Sequence, residues 1–288
     1  MNDIFNFRRF GKYFTSDVKS CSANYGLSML LISFMGLIIY AGTILMGLIF
    51  KGQWGGPQLG FRVVTFAVSM ICLTFSMPVK CYGRITEKRF GSQWIMIPAS
   101  GFEKTLSMIL MNVIVMPLVM CIVYLGVDAI LCGIDSTCGA SIAGSFKYLL
   151  DSYIELSLGG QSDLSQYPAI VNFFKQVSCP WLYADDIMGF FLITLLGSIL
   201  FTKGKTSKTI LSYIAVTAAL GIMVTPLANI IFKEFATLNI NADAPEAMNQ
   251  LFSMEVFRHA ALIDTINDTL VNLGLITAIY FRVKTIKH

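Results

Sequence analysis

The chain has 288 residues, of which 55% are hydrophobic and 13% charged, with a formal net charge of +4. A soluble domain carries about a quarter charged residues, so this shortfall excludes an ordinary water-soluble globule and makes lipid the expected solvent. The seven scattered cysteines and two histidines, His259 and His288, show no zinc spacing, and no metal site is expected.

In chain order, residues 1–26 are predicted to form an amphipathic interfacial helix. Phe7, Phe10, Phe14 and Val18 recur at helical spacing, with Arg8, Arg9, Lys12 and Lys19 between them. An apolar run at 27–50 follows, longer than a signal-peptide core and without a small-residue cleavage site before Lys51. A helix needs about 20 mostly apolar residues to cross the hydrocarbon. Further runs at 61–79, 105–131, 187–202, 209–232 and 260–281 meet or approach that length. The expected fold is all-α: one membrane domain over 1–288 with six transmembrane helices.

Between the first two runs lies the short turn KGQWGGPQLG, residues 51–60. Between the second and third lies RITEKRFGSQWIMIPASGFEKTLS, residues 84–107, polar enough to leave the bilayer yet holding Phe90 and Trp94 as anchors. Ser100 and Glu103 have the S-x-x-E capping-box spacing, which predicts a helix beginning at Gly101. The segment therefore reads as an ordered, charged elbow. Pro117 in the third run and Pro226 in the fifth remove helix hydrogen bonds and predict kinks. The long segment 132–186 holds two amphipathic stretches, 145–156 and 169–177, expected to lie at the membrane surface; 233–259 is a second mixed-polarity segment.

The GKT of LFTKGKTSK, residues 200–208, lacks the earlier glycine of a phosphate-binding loop, since position 199 is Ile, and no strand precedes it. It reads as a tight turn. Asp185 and Asp186 read as acids at a helix start. With no HExxH, no GxSxG and no nucleophile–base pair, no enzyme activity is expected. Asp264, Asp268 and Asn272 stack on one face of the sixth run, and an intramembrane carboxylate is a functional candidate by default. Asp128 is a weaker candidate of the same kind. A start of the helix near Asp268 would instead make both acids ordinary helix-end residues.

Lys and Arg set the orientation. Arg8, Arg9, Lys12 and Lys19, then Lys80, Arg84, Lys88, Arg89 and Lys104, then Lys203, Lys205 and Lys208, and finally Arg282, Lys284 and Lys287 all fall on one side. The other side keeps Lys51, Arg62, Lys147, Lys175, Lys233 and Arg258. Both termini are thus expected to be cytoplasmic in a multi-pass plasma-membrane protein. The positive charge reflects topology, and no nucleic-acid partner is expected. Cys132, Cys138 and Cys179 would face outward, where oxidation is available. Cys138–Cys179, closing the long outer loop, is the favoured disulfide beside a fully reduced state.

Three sections carry a resemblance. IPASGFEKTLS with the preceding RITEKRFGSQW, LLGSILFTKGKTSKTIL (195–211) and YFRVKTIK (280–287) are similar to segments of a family of six-span ABC-transporter permease-like proteins common in Bacteroidetes. Ile97 stands where that family more often has Leu, and the long outer loop has no counterpart. The resemblance implies the membrane subunit of a type-2 ABC exporter, working in lipid as a homo- or heterodimer of permease chains. It implies a separately encoded ABC ATPase that holds ATP and Mg, with no cofactor bound by this chain. Docking would fall on the elbow, through Arg84, Glu87, Lys88, Arg89, Pro98, Ser100, Glu103 and Lys104. Asp264, Asp268 and Asn272 would lie near a translocation path. The alternative is a membrane-anchored sensor or accessory protein acting through the outer loop 132–186.

Overall fold

The structure, a computed structural model, describes residues 5–52, 54–86, 91, 94, 96–145, 180–215, 218, 222 and 260–286. Among these the secondary structure is helical, with no strand. The chain order is α1 (Phe7–Ser33), α2 (Met35–Lys51), α3 (Leu59–Cys81), a 3-10 turn (Gly83–Thr86), α4 (Gly101–Ile109), a π-helical segment (Leu110–Val115), α5 (Met116–Ile134), a second 3-10 turn (Ser136–Cys138), α6 (Pro180–Leu200) and α7 (Ala260–Thr285). A further helical stretch covers 205–215.

Three continuous helical stretches are long and apolar enough to cross a membrane: Phe7–Phe50, Leu59–Cys81 and Gly101–Ile134. They contain the first three predicted runs. The fourth matches a shorter apolar helix, Ile187–Leu200, and the sixth lies within α7. Most of the fifth, with Pro226, and most of the long segment 132–186 lie outside the described residues. Leu27, Leu31, Ile38, Leu45, Ile49 and Phe50 stay exposed along α1 and α2, which suits lipid and would be a liability in water.

Two expectations are corrected. The interfacial helix was expected to be separate from the first span at residue 26, but α1 runs unbroken from Phe7 to Ser33. The composition changes at Gly26–Leu27, yet the backbone ladder does not respond to hydropathy. No proline interrupts it, and Tyr13, Cys21, Tyr25, Met29 and Ser33 form one buried ridge, every member a multiple of four residues from the next. The break comes instead at Phe34, inside the predicted span 27–50. Ser33 Oγ donates back to the Met29 carbonyl at 2.9 Å, a bond that bends helices. Just beyond, Gly36 leaves room for the Tyr124 ring, which meets Phe66 at a tilt with centroids 5.0 Å apart.

At Pro117, where a kink is expected, the helix changes its hydrogen-bond pattern. The proline sits in the first turn of α5, directly after the π-helical segment. There Met116 N–H donates to the Met111 carbonyl. The widened turn absorbs the donor that proline lacks, while buried Asn112 lies in the same segment.

The described residues divide between two compact units. One is drawn from Met1–Asp151, Thr194–Thr206 and Thr277–His288, the other from Ser152–Ile193 and Ser207–Ile276. In the first, α1 packs on α3, α4 and α5, and α2 packs on α3 and α5. In the second, Phe190 and Tyr213 meet edge to face at 5.5 Å.

A Cβ at position 36 would lie 3.2 Å from Tyr124 Cζ and Oη. Gly36→Val is therefore expected to destabilise the fold by about 1–3 kcal/mol through overpacking. Thermal unfolding in detergent checks this: Gly36→Val should melt below the parent, and combining it with Tyr124→Ala should recover part of the loss.

Candidate functional site

Two polar clusters stand at opposite ends of the first unit. The first joins the elbow to α1. Ser100 caps α4 by accepting from Glu103 N at 3.2 Å, and the Glu103 carboxylate accepts from Ser100 N at 2.9 Å. The predicted capping box is therefore formed. The same carboxylate also accepts from Asn6 N at 3.0 Å, from Arg9 Nε at 2.8 Å and from Arg9 Nη2 at 2.9 Å. Asn6 in turn caps α1 by accepting from Arg8 N and Arg9 N. Two helix N-termini thus share one buried anion, as the positive ends of their dipoles favour. Phe5 packs edge to face on Phe102 at 5.9 Å beside it.

Deeper along α1, Asp17 accepts from Ser107 Oγ of α4 at 2.6 Å and from Tyr82 Oη at 3.0 Å. Tyr25 and Ser76 hydroxyls are bonded across α1 and α3. Lys80 Nζ donates to Ser28 Oγ at 2.8 Å. The turn after α6 enters the same assembly. Gly204 adopts φ +63, and buried Lys205 donates to the Gly83 carbonyl of the 3-10 turn. Position 83 is glycine because a Cβ there would press on the Lys205 side chain.

The predicted docking residues divide. Arg84 and Pro98 are exposed, and Ser100 is half-buried. Glu103 is fully buried and occupied by the bonds above. Lys104 is buried too, its Nζ donating to the Trp94 carbonyl at 2.9 Å and lying 4.5 Å from that ring's centroid. Glu103 and Lys104 hold the elbow's shape and leave its outer surface to other side chains. Glu87, Lys88 and Arg89 lie outside the described residues.

The second cluster was largely missed in the sequence. Arg62, counted there as a loop charge, is buried in the first turn of α3. Its Nη1 meets Asp128 Oδ1 at 2.7 Å and Cys132 Sγ at 2.6 Å. Its Nη2 donates to the carbonyls of Cys138 at 2.9 Å and Ala140 at 2.7 Å. Asp128 Oδ2 accepts from Ile142 N at 2.7 Å, so the pair is ringed by hydrogen bonds. A signal was present: Asp128 in an apolar run requires a cation, and Arg62 is a lone arginine at the start of another.

Asp135 continues this cluster past the end of α5. Its carboxylate accepts from Thr137 Oγ1 at 2.7 Å, Thr137 N at 2.9 Å, Tyr40 Oη at 2.8 Å and Trp54 Nε1 at 3.1 Å. Gly56 N donates to Thr137 Oγ1 at 2.9 Å. The bonds from Thr137, with Tyr40 and Trp54 adding to them, hold the Asp135 carboxyl down at about 2. Cys138 is a buried free thiol beside Gly56, and its expected partner Cys179 lies outside the described residues.

In the second unit, Asn272 of α7 is buried against α6, where a Cβ on Gly189 would stand 2.8 Å from its Oδ1. The polar stripe therefore faces protein at Asn272. Asp268 is half-buried, and the side chain of Asp264 lies outside the described set. No family model matches the chain, and neither a curated protein nor a solved structure matches it.

Removing one member of the Arg62–Asp128 pair strands a buried charge. Asp128→Ala is expected to cost about 3–5 kcal/mol, while Arg62→Met combined with Asp128→Leu recovers most of it. Denaturation of the detergent-solubilised protein would measure both. For Asp135 the folded value lies below the ordinary carboxylate value of about 3.9. Its contribution is thus complete above about pH 4 and is lost as pH falls through about 2. In a chain keeping Trp54 but carrying Trp94→Phe and Trp181→Phe, the Trp54 emission should hold steady down to about pH 4 and change only below it.

Proposed function

We propose that this chain is the membrane-spanning permease subunit of an ABC-type exporter, driven by a separately encoded ATPase that docks on the 84–104 elbow. The observation that carries the reading is the bonding of both ends of the elbow, at Gly83 and at Ser100–Glu103, to neighbouring segments. An external motor transmits work only to an element that does not yield locally. Here the helix start at Gly101, the N-terminal half of α1, the 3-10 turn at Gly83–Thr86 and the turn at Lys205 are tied together through Glu103, Asp17 and the Gly83 carbonyl. A connector kept only to hold topology has no need of a buried carboxylate bonded to two helix starts.

Two helical stretches are longer than a bilayer crossing requires. At about 1.5 Å per residue, a 30 Å core takes roughly 20 residues, whereas Phe7–Phe50 holds 44 and Gly101–Ile134 holds 34. The surplus makes a platform that an ATPase can push without entering the bilayer. With both termini and the elbow cytoplasmic, closure of the ATPase would tilt α1, α3 and α4 together. ATP and Mg bind the partner subunit, two permease chains enclose the path, and lipid surrounds them. In that reading Asp268 and Asp264 lie nearest the cargo, and Asn272, buried against α6, holds α7 beside the path.

Arg84 is the exposed charge at the start of the elbow. Arg84→Glu with Lys88→Glu is expected to abolish co-purification of the ATPase while membrane insertion and thermal stability stay at parental levels. Retained association with full ATPase stimulation would overturn the assignment. So would loss of function on deleting 146–179 with the charge-reversed elbow fully active, the outcome belonging to an accessory protein that acts through its outer loop.

A further inference from the structure

We propose that Cys132 and Cys138 are a disulfide-forming pair, joined by exchange with an extracytoplasmic protein disulfide, and that their bond fastens the clamp around Asp135. Cys132 lies in the last turn of α5 and Cys138 ends the 3-10 turn that follows. Both cysteines border one small cavity between α2, α3 and α5. One guanidinium fixes both residues, with Arg62 Nη1 on Cys132 Sγ at 2.6 Å and Arg62 Nη2 on the Cys138 carbonyl at 2.9 Å. The Cys132 thiol and the Cys138 backbone are thus held by one side chain that is itself locked to Asp128.

Exposure assigns the order of events. Cys132 is half-exposed and Cys138 is buried. The Cys132 thiolate attacks the donor disulfide, giving a mixed disulfide and releasing one donor thiol. Cys138 then attacks Cys132 Sγ, closing the internal bond and releasing the second donor thiol. Two thiol hydrogens leave as protons, and two electrons pass to the donor, which departs as a dithiol. The ring closed between 132 and 138 contains Asp135, whose carboxylate reaches Tyr40 of α2 and Trp54 of the α2–α3 loop. Joining the cysteines therefore anchors that carboxylate to the end of α5.

The inference rests on the orientation adopted under the proposed function, not on the docking of an ATPase. Its test is thiol mapping of the full chain from acid-quenched cells, alkylated before and after reduction and read by peptide mass spectrometry. The expected result is a species spanning 132–138, lighter by two hydrogen atoms and unmodified by alkylation until reductant is added. Cys132→Ser should make Cys138 alkylatable without reduction. Two thiols alkylated without reductant, or a Cys138–Cys179 peptide, would overturn the proposal. If thiols found free in cells join when membranes are treated with oxidised glutathione, the orientation has failed and the geometry has held. If they stay free then as well, the geometry itself is refuted.

Discussion

The carboxylate of Glu103 is the joint on which the elbow end of this molecule depends. It is fully buried, and it accepts from backbone and guanidinium donors on two segments 97 positions apart in sequence. A buried anion is tolerated only when its lone pairs are matched. Few side-chain arrangements supply two helix N-termini and an arginine at one point, so the position of α1 relative to α4 is closely specified. Substituting Gln would keep the shape but remove the charge that both dipoles and Arg9 answer. The remaining contacts at this end, from Asp17 to Lys205, extend an arrangement whose register Glu103 sets.

The opposite end obeys the same rule with the charges reversed in role. There the cation is central: Arg62 is buried and its terminal nitrogens each serve two acceptors. Asp128 balances it, and the carbonyls of Cys138 and Ala140 close the fork. Each end of the first unit is thus built around one buried charge that organises backbone from several segments. Between them the contacts are apolar and aromatic, such as Leu73, Met77, Met108, Met111 and Met120. Such contacts give way more readily than paired charges, since dispersion and shape complementarity have no fixed direction.

Local chemistry was legible in the sequence and long-range pairing was not. The capping box could be read because Ser100 and Glu103 are three residues apart and the geometry follows from spacing alone. The first three apolar runs could be read because length against bilayer thickness decides them. That Glu103 also holds Arg9 could not be read, since Arg9 lay among basic residues assigned to one helix face. Arg62 was counted as a topology charge because hydropathy gives no information on which way a side chain turns at the end of a run. Lys205 was read as a topology charge within a failed phosphate-loop motif, and its bond to Gly83 depends on the approach of two turns distant in sequence. The break at Phe34 had a faint local sign in Ser33 and Gly36, but the Tyr124 ring that packs against Gly36 lies in no window of sequence around it.

The irregular backbone lies between the two charged ends, and that placement has a mechanical consequence. The π-helical segment Leu110–Val115 precedes Pro117, and the α1–α2 break sits at Phe34. Regular α-helix resists bending because each turn is closed by i→i−4 bonds. A π turn has one residue more per turn, and a helix break has lost part of its ladder. Any displacement imposed on the elbow must therefore be absorbed first where the ladder is already altered. Each end is held together because its charges cannot separate without leaving an unpaired ion in low dielectric. The altered ladder near Asn112 and Phe34 therefore lies between two ends that are each fixed by a buried charge, Glu103 at one and Arg62 with Asp128 at the other.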